Sequence, residues 1–329
     1  MRVFVTGGAG YVGSVAVKEL LDRDHQVLVF DDLSTGHREA VDPRAEFYCT
    51  SLGDQEHLST AMMGFRPDAV MHFAADALVG ESMEFPLKYF RNNVGDGISL
   101  LDVMKWAKCD RLVFSSSCAT YGTPPPGLIT EMTPQKPTNP YGESKLMFEK
   151  MIFWLQKQSG FRPTALRYFN ACGAYGGLGE DHLHETHLIP NVIKVAMGQK
   201  KNVDVFGVHR DTPDGTCWRD YVHVHDLARA HVMVLEQEVL GAYNLGTGHG
   251  YSVKEVIDAV RMVTCRDIKT VERPDRPGDP DSLVADASLA RNTFGWEARL
   301  ELKEIVQSAW DWHLLHPDGY GGPKDEAPF

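Results

Sequence analysis

RVFVTGGAGYVGSVAVKELL, residues 2–21, decides the fold. It opens on a short apolar, β-branched run. Gly7, Gly10 and Gly13 follow at three-residue spacing, and then comes an apolar-periodic segment, VAVKELL. A strand that turns through glycines into a helix begins a βαβ unit. Glycines let the backbone approach a pyrophosphate closely, and the first turn of the helix offers free N–H groups and the positive end of its dipole. A second strand-like run, VLVF (27–30), leads into Asp31, 18 residues after Gly13. A carboxylate there accepts hydrogen bonds from ribose hydroxyls and repels a 2′-phosphate, so NAD is favoured over NADP. Asp32 is the neighbouring alternative.

Outward from this unit the pattern repeats. Apolar runs at EFYCTSL (46–52), DAVMHFAA (68–75), RLVFSSS (111–117) and TALRYFN (164–170) are separated by helix-length segments. The expected architecture is α/β: a Rossmann-like, doubly wound parallel sheet covered by helices on both faces. The second half is less regular, with Gly and Pro clustered at GGLGED (176–181), PDGT (213–216) and RPDRPGDPD (273–281), which suggests a smaller lobe of loops and short elements. One helix there begins at Ser252, whose hydroxyl and Glu255 form a capping box before VIDAVRMV. His223 and His225 alternate in DYVHVHD as if along a strand, in packing or edge positions. The tail after Pro317, rich in Gly, Pro and charge, is expected to be loosely held.

Lys and Arg number 33 against 45 Asp and Glu, a net charge of −12 spread along the chain. That argues against a nucleic-acid or anionic-membrane surface, and any anionic ligand must then be met by a few well-placed arginines. No apolar run approaches the roughly 18 residues that span a bilayer, and glycines interrupt the N-terminus where an export signal needs its apolar stretch. The six cysteines form no CxxC pair, so reduced thiols in a cytoplasm are the simplest expectation.

FSSSCATYG (114–122) sets three serines and a cysteine at the end of the fifth strand, where open parallel sheets bind their ligands. NPYGESKLMFEK then places Tyr141 and Lys145 four residues apart on one helical face. A cation beneath the phenol favours the phenolate, so Tyr141 is a candidate general base near neutral pH.

Together these features resemble the extended short-chain dehydrogenase/reductase superfamily, and within it the UDP-glucose (UDP-galactose) 4-epimerases. The likeness runs to about residue 320 through VTGGAGYVGS, FDDLSTGH, HFAA followed by VGES, NNV, FSSSCATYG, NPYGESKLMFE, LRYFN, GEDHLHETHLIP, DGTCWRDYVHVHDLA, YNLGTG and the GD of RPGD. The resemblance implies an NAD that takes a hydride from C4 of a UDP-sugar and returns it to the opposite face of the 4-keto sugar. Tyr141 then removes the O4 proton, Lys145 lowers its pKa and binds the nicotinamide ribose, and Ser117 hydrogen-bonds O4. Cofactor contacts are expected from Gly7, Gly10, Tyr11, Val12, Gly13, Asp31, Asp32, Leu52, Phe73, Ala74, Ala75, Asn93, Ser115, Tyr141, Lys145 and Tyr168. Substrate contacts are expected from Ser117, Tyr141, Asn170, His187, Leu188, Val205, Phe206, Arg219, Tyr221, Arg276, Asp279 and Leu283. The implied division gives an NAD-binding domain at 1–172 with 218–247 packing back onto it, and a sugar-nucleotide lobe from 173–217 and 248–329.

The chain departs from that pattern at Thr50 and Ser51, where many relatives have Gly-Asp, and at Ala77, where some carry a lysine; both put cofactor contacts in doubt. Leu283 stands where hexose-restricted relatives have Tyr, so UDP-N-acetylhexosamines and UDP-xylose remain alternative substrates. A 4,6-dehydratase needs an acidic pair where this chain has Cys118 and Ala119, and a C3 or C5 epimerase using Cys118 lacks a clear partner acid. A non-catalytic NAD-binding regulator has no need of Ser117, Tyr141 and Lys145 together. The spacing of His182, His184 and His187 in GEDHLHETH fits no helical metal motif, so no metal is expected. Two helices are apolar over a wide arc, one through Ile98, Leu101, Met104 and Trp106 and the other through Met147, Phe148, Met151, Ile152, Trp154 and Leu155. This points, as does the family's habit, to a homodimer.

Overall fold

The computed structural model describes residues 1–275 and 279–321. The chain begins β1 (Arg2–Thr6), α1 (Tyr11–Leu21), β2 (Gln26–Asp31), β3 (Glu46–Cys49), α2 (Gln55–Phe65) and β4 (Ala69–His72). It continues through α3 (Val79–Glu84), α4 (Pro86–Tyr89), a π-helical turn at Phe90–Asp96, α5 (Gly97–Trp106), β5 (Arg111–Ser117), α6 (Pro140–Ser159) and β6 (Arg162–Tyr168). After β7 (Asn170–Cys172), α7 (Leu188–Ala196), β8 (Val203–Phe206), β9 (Trp218–Arg219) and β10 (Tyr221–His223), helix α8 (Val224–Glu236) leads into β11 (Gly241–Leu245). The last elements are β12 (Tyr251–Ser252), α9 (Val253–Thr264), β13 (Thr270–Arg273), β14 (Ser282–Leu283), α10 (Ser288–Phe294) and α11 (Leu302–Leu315). No helix among the described residues is long and apolar enough to cross a membrane.

Seven strands form one parallel sheet in the order β11-β6-β5-β4-β1-β2-β3. The order reverses at β1, so a crevice opens between the C-terminal ends of β1 and β4. Burial on both faces explains the continuous apolar runs. Val3, Val5, Val27 and Val29 join α1 and α8 in one cluster, while Phe4, Leu28 and Phe30 join α2, α5 and α6 in the other. A third cluster, holding Ile193, Val205, Val260 and Ile305, is the core of the second lobe.

Several boundaries differ from the sequence reading. Strand β4 stops at His72 because Thr6 O accepts from both Phe73 N (2.9 Å) and Ala74 N (3.2 Å), which bends the chain past Gly7. The run 164–170 divides after Tyr168, since Asn170 N turns to Asp220 O (2.9 Å) and pairs β7 with β10. DYVHVHD is not a strand throughout. It ends at His223, whose ring accepts from His225 N (3.0 Å) and caps α8, so His225 lies in the helix stacked on Tyr175. The segment past Pro317 is anchored as far as Gly321, through Tyr320, which accepts from Gly179 N (2.9 Å) and packs against Trp312 and His37. The capping box at Ser252 and Glu255 is present, and all six cysteines are unpaired.

His72, 3% exposed, shares a hydrogen bond with Thr6 Oγ1 (2.7 Å) and lies against Phe114 and Phe148. Burial, with the Lys145 charge adding, lowers its pKa from 6.5 to about 3. The unfolded chain takes up a proton near pH 6.5 that the folded imidazole refuses. This group's share of stability is therefore present above pH 6.5 and is lost as pH falls toward about 3. His231 and His313, each lowered to about 4 by burial, act with the same sign, whereas His182 and His187, both raised, oppose it. Imidazole nitrogen NMR should find His72 neutral down to pH 4; a charged His72 at pH 5 contradicts this packing.

Candidate active site

The first turn of α1 forms a cradle that only glycine permits. Gly7 has φ +71°, and a Cβ there would stand 2.4 Å from Ala74 N; one on Gly13 would stand 2.1 Å from Gly7 O. Asp31 is built into the cradle's edge: its two oxygens accept from Ala9 N and Leu33 N at 2.9 Å each, and burial pushes its pKa up. Asp32 is exposed and accepts from Ser34 N, so of the two carboxylates Asp31 is the one set in the crevice. The Tyr11 hydroxyl donates to Gly173 O (2.6 Å), tying α1 to the loop after β7, with Val12 half-buried beside it. Gly10, Phe73, Ala74 and Ala75 are half-buried along the crevice between β1 and β4, while Ala77 is exposed. Leu52 is 7% exposed and packs in the core beneath the sheet, which leaves little of it open to a ligand.

Asn93 lies in the π-helical turn. Its amide accepts from Asp76 N (2.8 Å) and donates to Asp76 O (2.9 Å) and Ser144 Oγ (3.0 Å), so its hydrogen bonds fasten the loop after β4 onto α6. Helix α6 is capped at its start: Asn139 accepts from Gly142 N (2.8 Å), and Pro140 occupies the first helical position. This start sets Tyr141 beside the end of β5. Ser117 Oγ accepts from Ala119 N (3.1 Å) and hydrogen-bonds the Tyr141 phenol. Lys145, 3% exposed, donates from Nζ to Ser115 O (2.9 Å) and lies 5.9 Å from the Tyr141 ring centre. The Ser115 hydroxyl meets that of Tyr168.

The electrostatics differ from the sequence expectation. Burial pushes the Tyr141 phenol up to about 12, opposed by its hydrogen bond to Ser117. Burial also lowers Lys145 to about 7, opposed by the charge of Glu149. In the protein alone, desolvation dominates both groups, and further positive charge is required before Tyr141 is a base near neutral pH.

Glu149 was not singled out from the sequence, although it follows Lys145 by four residues on the same helix. It is 2% exposed, pairs with Arg167 (2.5 Å), and accepts from Ser116 and from Gln135 (3.1 Å). Arg167 also donates to the Tyr121 hydroxyl (2.9 Å). Glu149→Ala leaves Arg167 charged, buried and unpaired. It is expected to cost about 3–5 kcal/mol of stability, measurable by urea denaturation; a change below about 1 kcal/mol contradicts the role given to this pair.

In the second lobe two of the expected substrate residues hold each other. Arg219 donates to Asp279 Oδ1 (2.5 Å), Pro280 O (2.7 Å) and Trp218 O (2.7 Å), so a bound diphosphate must share or displace Asp279. Arg210, with no signal in the sequence, donates to Asp279 O (2.6 Å) and Asp281 Oδ1 (3.0 Å). Leu283 pairs with Arg219 across β14 and β9, and Tyr221 is buried. Asn170 is half-buried at the start of β7, Val205 and Phe206 end β8, and Leu188 opens α7. Arg276 lies outside the described residues. His187 Nδ1 stands 2.6 Å from Glu180 Oε1, so its ring is committed toward the loop before α7. The Cys118 thiol is pushed up to about 12 by burial, which makes it a poor base.

A Rossmann sheet with this glycine cradle, and a Ser, Tyr and Lys converging at the end of β5, define a dinucleotide-binding site of the short-chain dehydrogenase/reductase kind. The chain belongs to the NAD dependent epimerase/dehydratase family, whose model matches residues 3–246. It is 50% identical to the UDP-glucose 4-epimerase of Lactobacillus helveticus over 327 residues, covering 97% of this chain and 99% of that one. The UDP-glucose 4-epimerase of Bifidobacterium longum, solved with NAD+ and UDP, superposes with a TM-score of 0.93 at 39% identity, covering 97% of this chain and 100% of that one. The Brucella ovis enzyme, solved with NAD, gives 0.91 at 45% identity over 94% and 97%.

Proposed function

We propose that this protein interconverts UDP-glucose and UDP-galactose by reversible oxidation at C4 of the hexose. The observation that carries the reading is the convergence of Ser117, Tyr141 and Lys145 at the end of β5, beside the cradle of Gly7 and Gly13. NAD bound there supplies the hydride acceptor, and its positive nicotinamide supplies the extra charge that Tyr141 requires. Tyr141 takes the O4 proton as C4 is oxidised and returns it after the sugar has turned. Ser117 holds O4 against the phenol, and Lys145, kept in place by the Ser115 carbonyl, with the charge of Glu149 favouring its ammonium form, steadies the phenolate. Asp31 selects NAD by accepting from the ribose hydroxyls. Arg219, with Arg276 from the sequence resemblance, neutralises the diphosphate of a UDP-sugar on a chain of net charge −12. Cys118, buried and with its thiol pushed up to about 12, does not serve as the base for dehydration or for C5 chemistry. Proton NMR of the purified protein with UDP-glucose, UDP-N-acetylglucosamine and UDP-xylose in separate tubes tests the reading. A C4 epimer from UDP-glucose supports it, and turnover of only one of the other two replaces it.

The protein is proposed to act as a homodimer through α5 and α6. Ile98, Trp106, Met147 and Trp154 on these helices are 45%, 55%, 37% and 60% exposed, an apolar face a monomer has no reason to leave in water. Sedimentation equilibrium at micromolar concentration is expected to give twice the 36.7 kDa of one chain, and Trp154→Glu to give the monomer; a monomeric parent protein contradicts the interface. The six unpaired thiols fit a reducing compartment such as the cytoplasm.

A further inference from the structure

The loop between β7 and α7 brings together side chains that the proposed reaction does not use. Glu180, His182, Glu185 and His187 each direct one donor atom inward, and the four atoms lie within 4.8 Å of one another. His184, in the same loop, is exposed and outside the group. Their spacing fits no helical metal motif, and an extended loop makes the convergence instead.

Glu180 and Glu185 are almost fully buried, at 5% and 3% of side-chain exposure. Two carboxylates removed from water need about two positive charges close by. Near neutral pH that means either a proton on each imidazole or one divalent cation among neutral rings. The geometry favours the cation. His182 Nδ1 lies 3.5 Å from Glu180 Oε1 and 3.3 Å from Glu185 Oε2, and His187 Nδ1 lies 3.3 Å from Glu185 Oε1. A tetrahedral ion with bonds of about 2.0–2.1 Å sets its ligand atoms about 3.3–3.4 Å apart, so these three pairs stand near that spacing, while the 2.6 Å contact between His187 Nδ1 and Glu180 Oε1 has to open on binding. Glu180 Oε1 is the telling atom. It is buried and lies 2.6 Å from His187 Nδ1 without the alignment of a hydrogen bond, whereas His182 Nδ1 is hydrogen-bonded to Glu185 Oε2 (3.3 Å) and exchanges that bond for the ion.

We propose that Glu180, His182, Glu185 and His187 bind one divalent transition-metal ion of the zinc class in a closed, four-coordinate site. The site lies against the cofactor cradle: the Tyr11 ring packs edge-on to His182, and its hydroxyl holds Gly173 at the root of the same loop. An ion there fixes the loop between the two lobes without touching the reacting atoms, and its binding releases protons from the imidazoles.

The test uses the full-length protein without a histidine tag, stripped with dipicolinate and titrated with zinc against a chromophoric chelator, and separately with cobalt. The expected result is one ion per chain at submicromolar affinity, with the visible bands of four-coordinate cobalt. Glu185→Gln and His182→Ala should each weaken zinc at least 100-fold, while His184→Ala binds as the parent does. Absence of a stoichiometric ion on the parent protein, or parental affinity in both ligand variants, overturns the site and leaves a protonated ion-pair cluster. The stoichiometry of metal on the parent protein is read without the variants, and it does not depend on how well they fold or on which sugar the enzyme turns over.

Discussion

Tyr141→Phe is expected to lower turnover of UDP-glucose by at least about 10³-fold while leaving bound NAD unchanged. The phenol is the only acid or base assigned to O4. Removing its oxygen leaves the ring packed beside Tyr89 and the cradle formed by Gly7, Gly13 and Asp31 untouched. The hydroxyl's partner, Ser117, keeps its bond from Ala119 N and is not stranded, so the effect should fall on rate and not on stability. Released nucleotide measured by chromatography and thermal melting should both match the parent. Parental activity in this variant removes Tyr141 from the reaction.

Gly13→Ala carries the second large effect and acts through the cofactor. The added Cβ would stand 2.1 Å from Gly7 O and 2.9 Å from Gly7 C. Both are backbone atoms that cannot swing aside, so the turn must open. Displacement of the turn by about 1 Å costs on the order of 100-fold in catalysis. Nucleotide content should fall in parallel, with the sheet and its circular dichroism retained. Normal nucleotide content and rate in the folded variant contradict the placement of a pyrophosphate over Gly7, Gly10 and Gly13.

The features the sequence revealed are those set by local chemistry. The glycine turn, the capping box at Ser252 and the Tyr141–Lys145 spacing depend on residues within one or two turns of each other, and each stands where it was expected. Features that depend on distant partners were not legible. Strand β4 ends early because Thr6 O captures two successive amides. DYVHVHD hides a local signal instead: its alternation reads as a strand, but the His223 ring accepts from His225 N and starts a helix. The tail to Gly321 is held by Tyr320, which packs on Trp312 and reaches Gly179 and His37, both far from it in sequence. The same limit applied in the site. Glu149 matters because Arg167 and Ser116 on neighbouring strands face it, and burial, which no spacing reveals, moves Tyr141 and Lys145 away from the protonation states first expected.

The most direct measurement of the central claim follows the C4 hydrogen itself. UDP-glucose deuterated at C4 is incubated with the enzyme in ordinary water, and the UDP-galactose formed is read by NMR. Full retention of deuterium at C4, with none lost to solvent, is the expected result, because the hydrogen leaves as hydride and returns within one closed site. Solvent hydrogen at C4 or C5 of the product, or a 4-keto sugar accumulating in place of UDP-galactose, contradicts it.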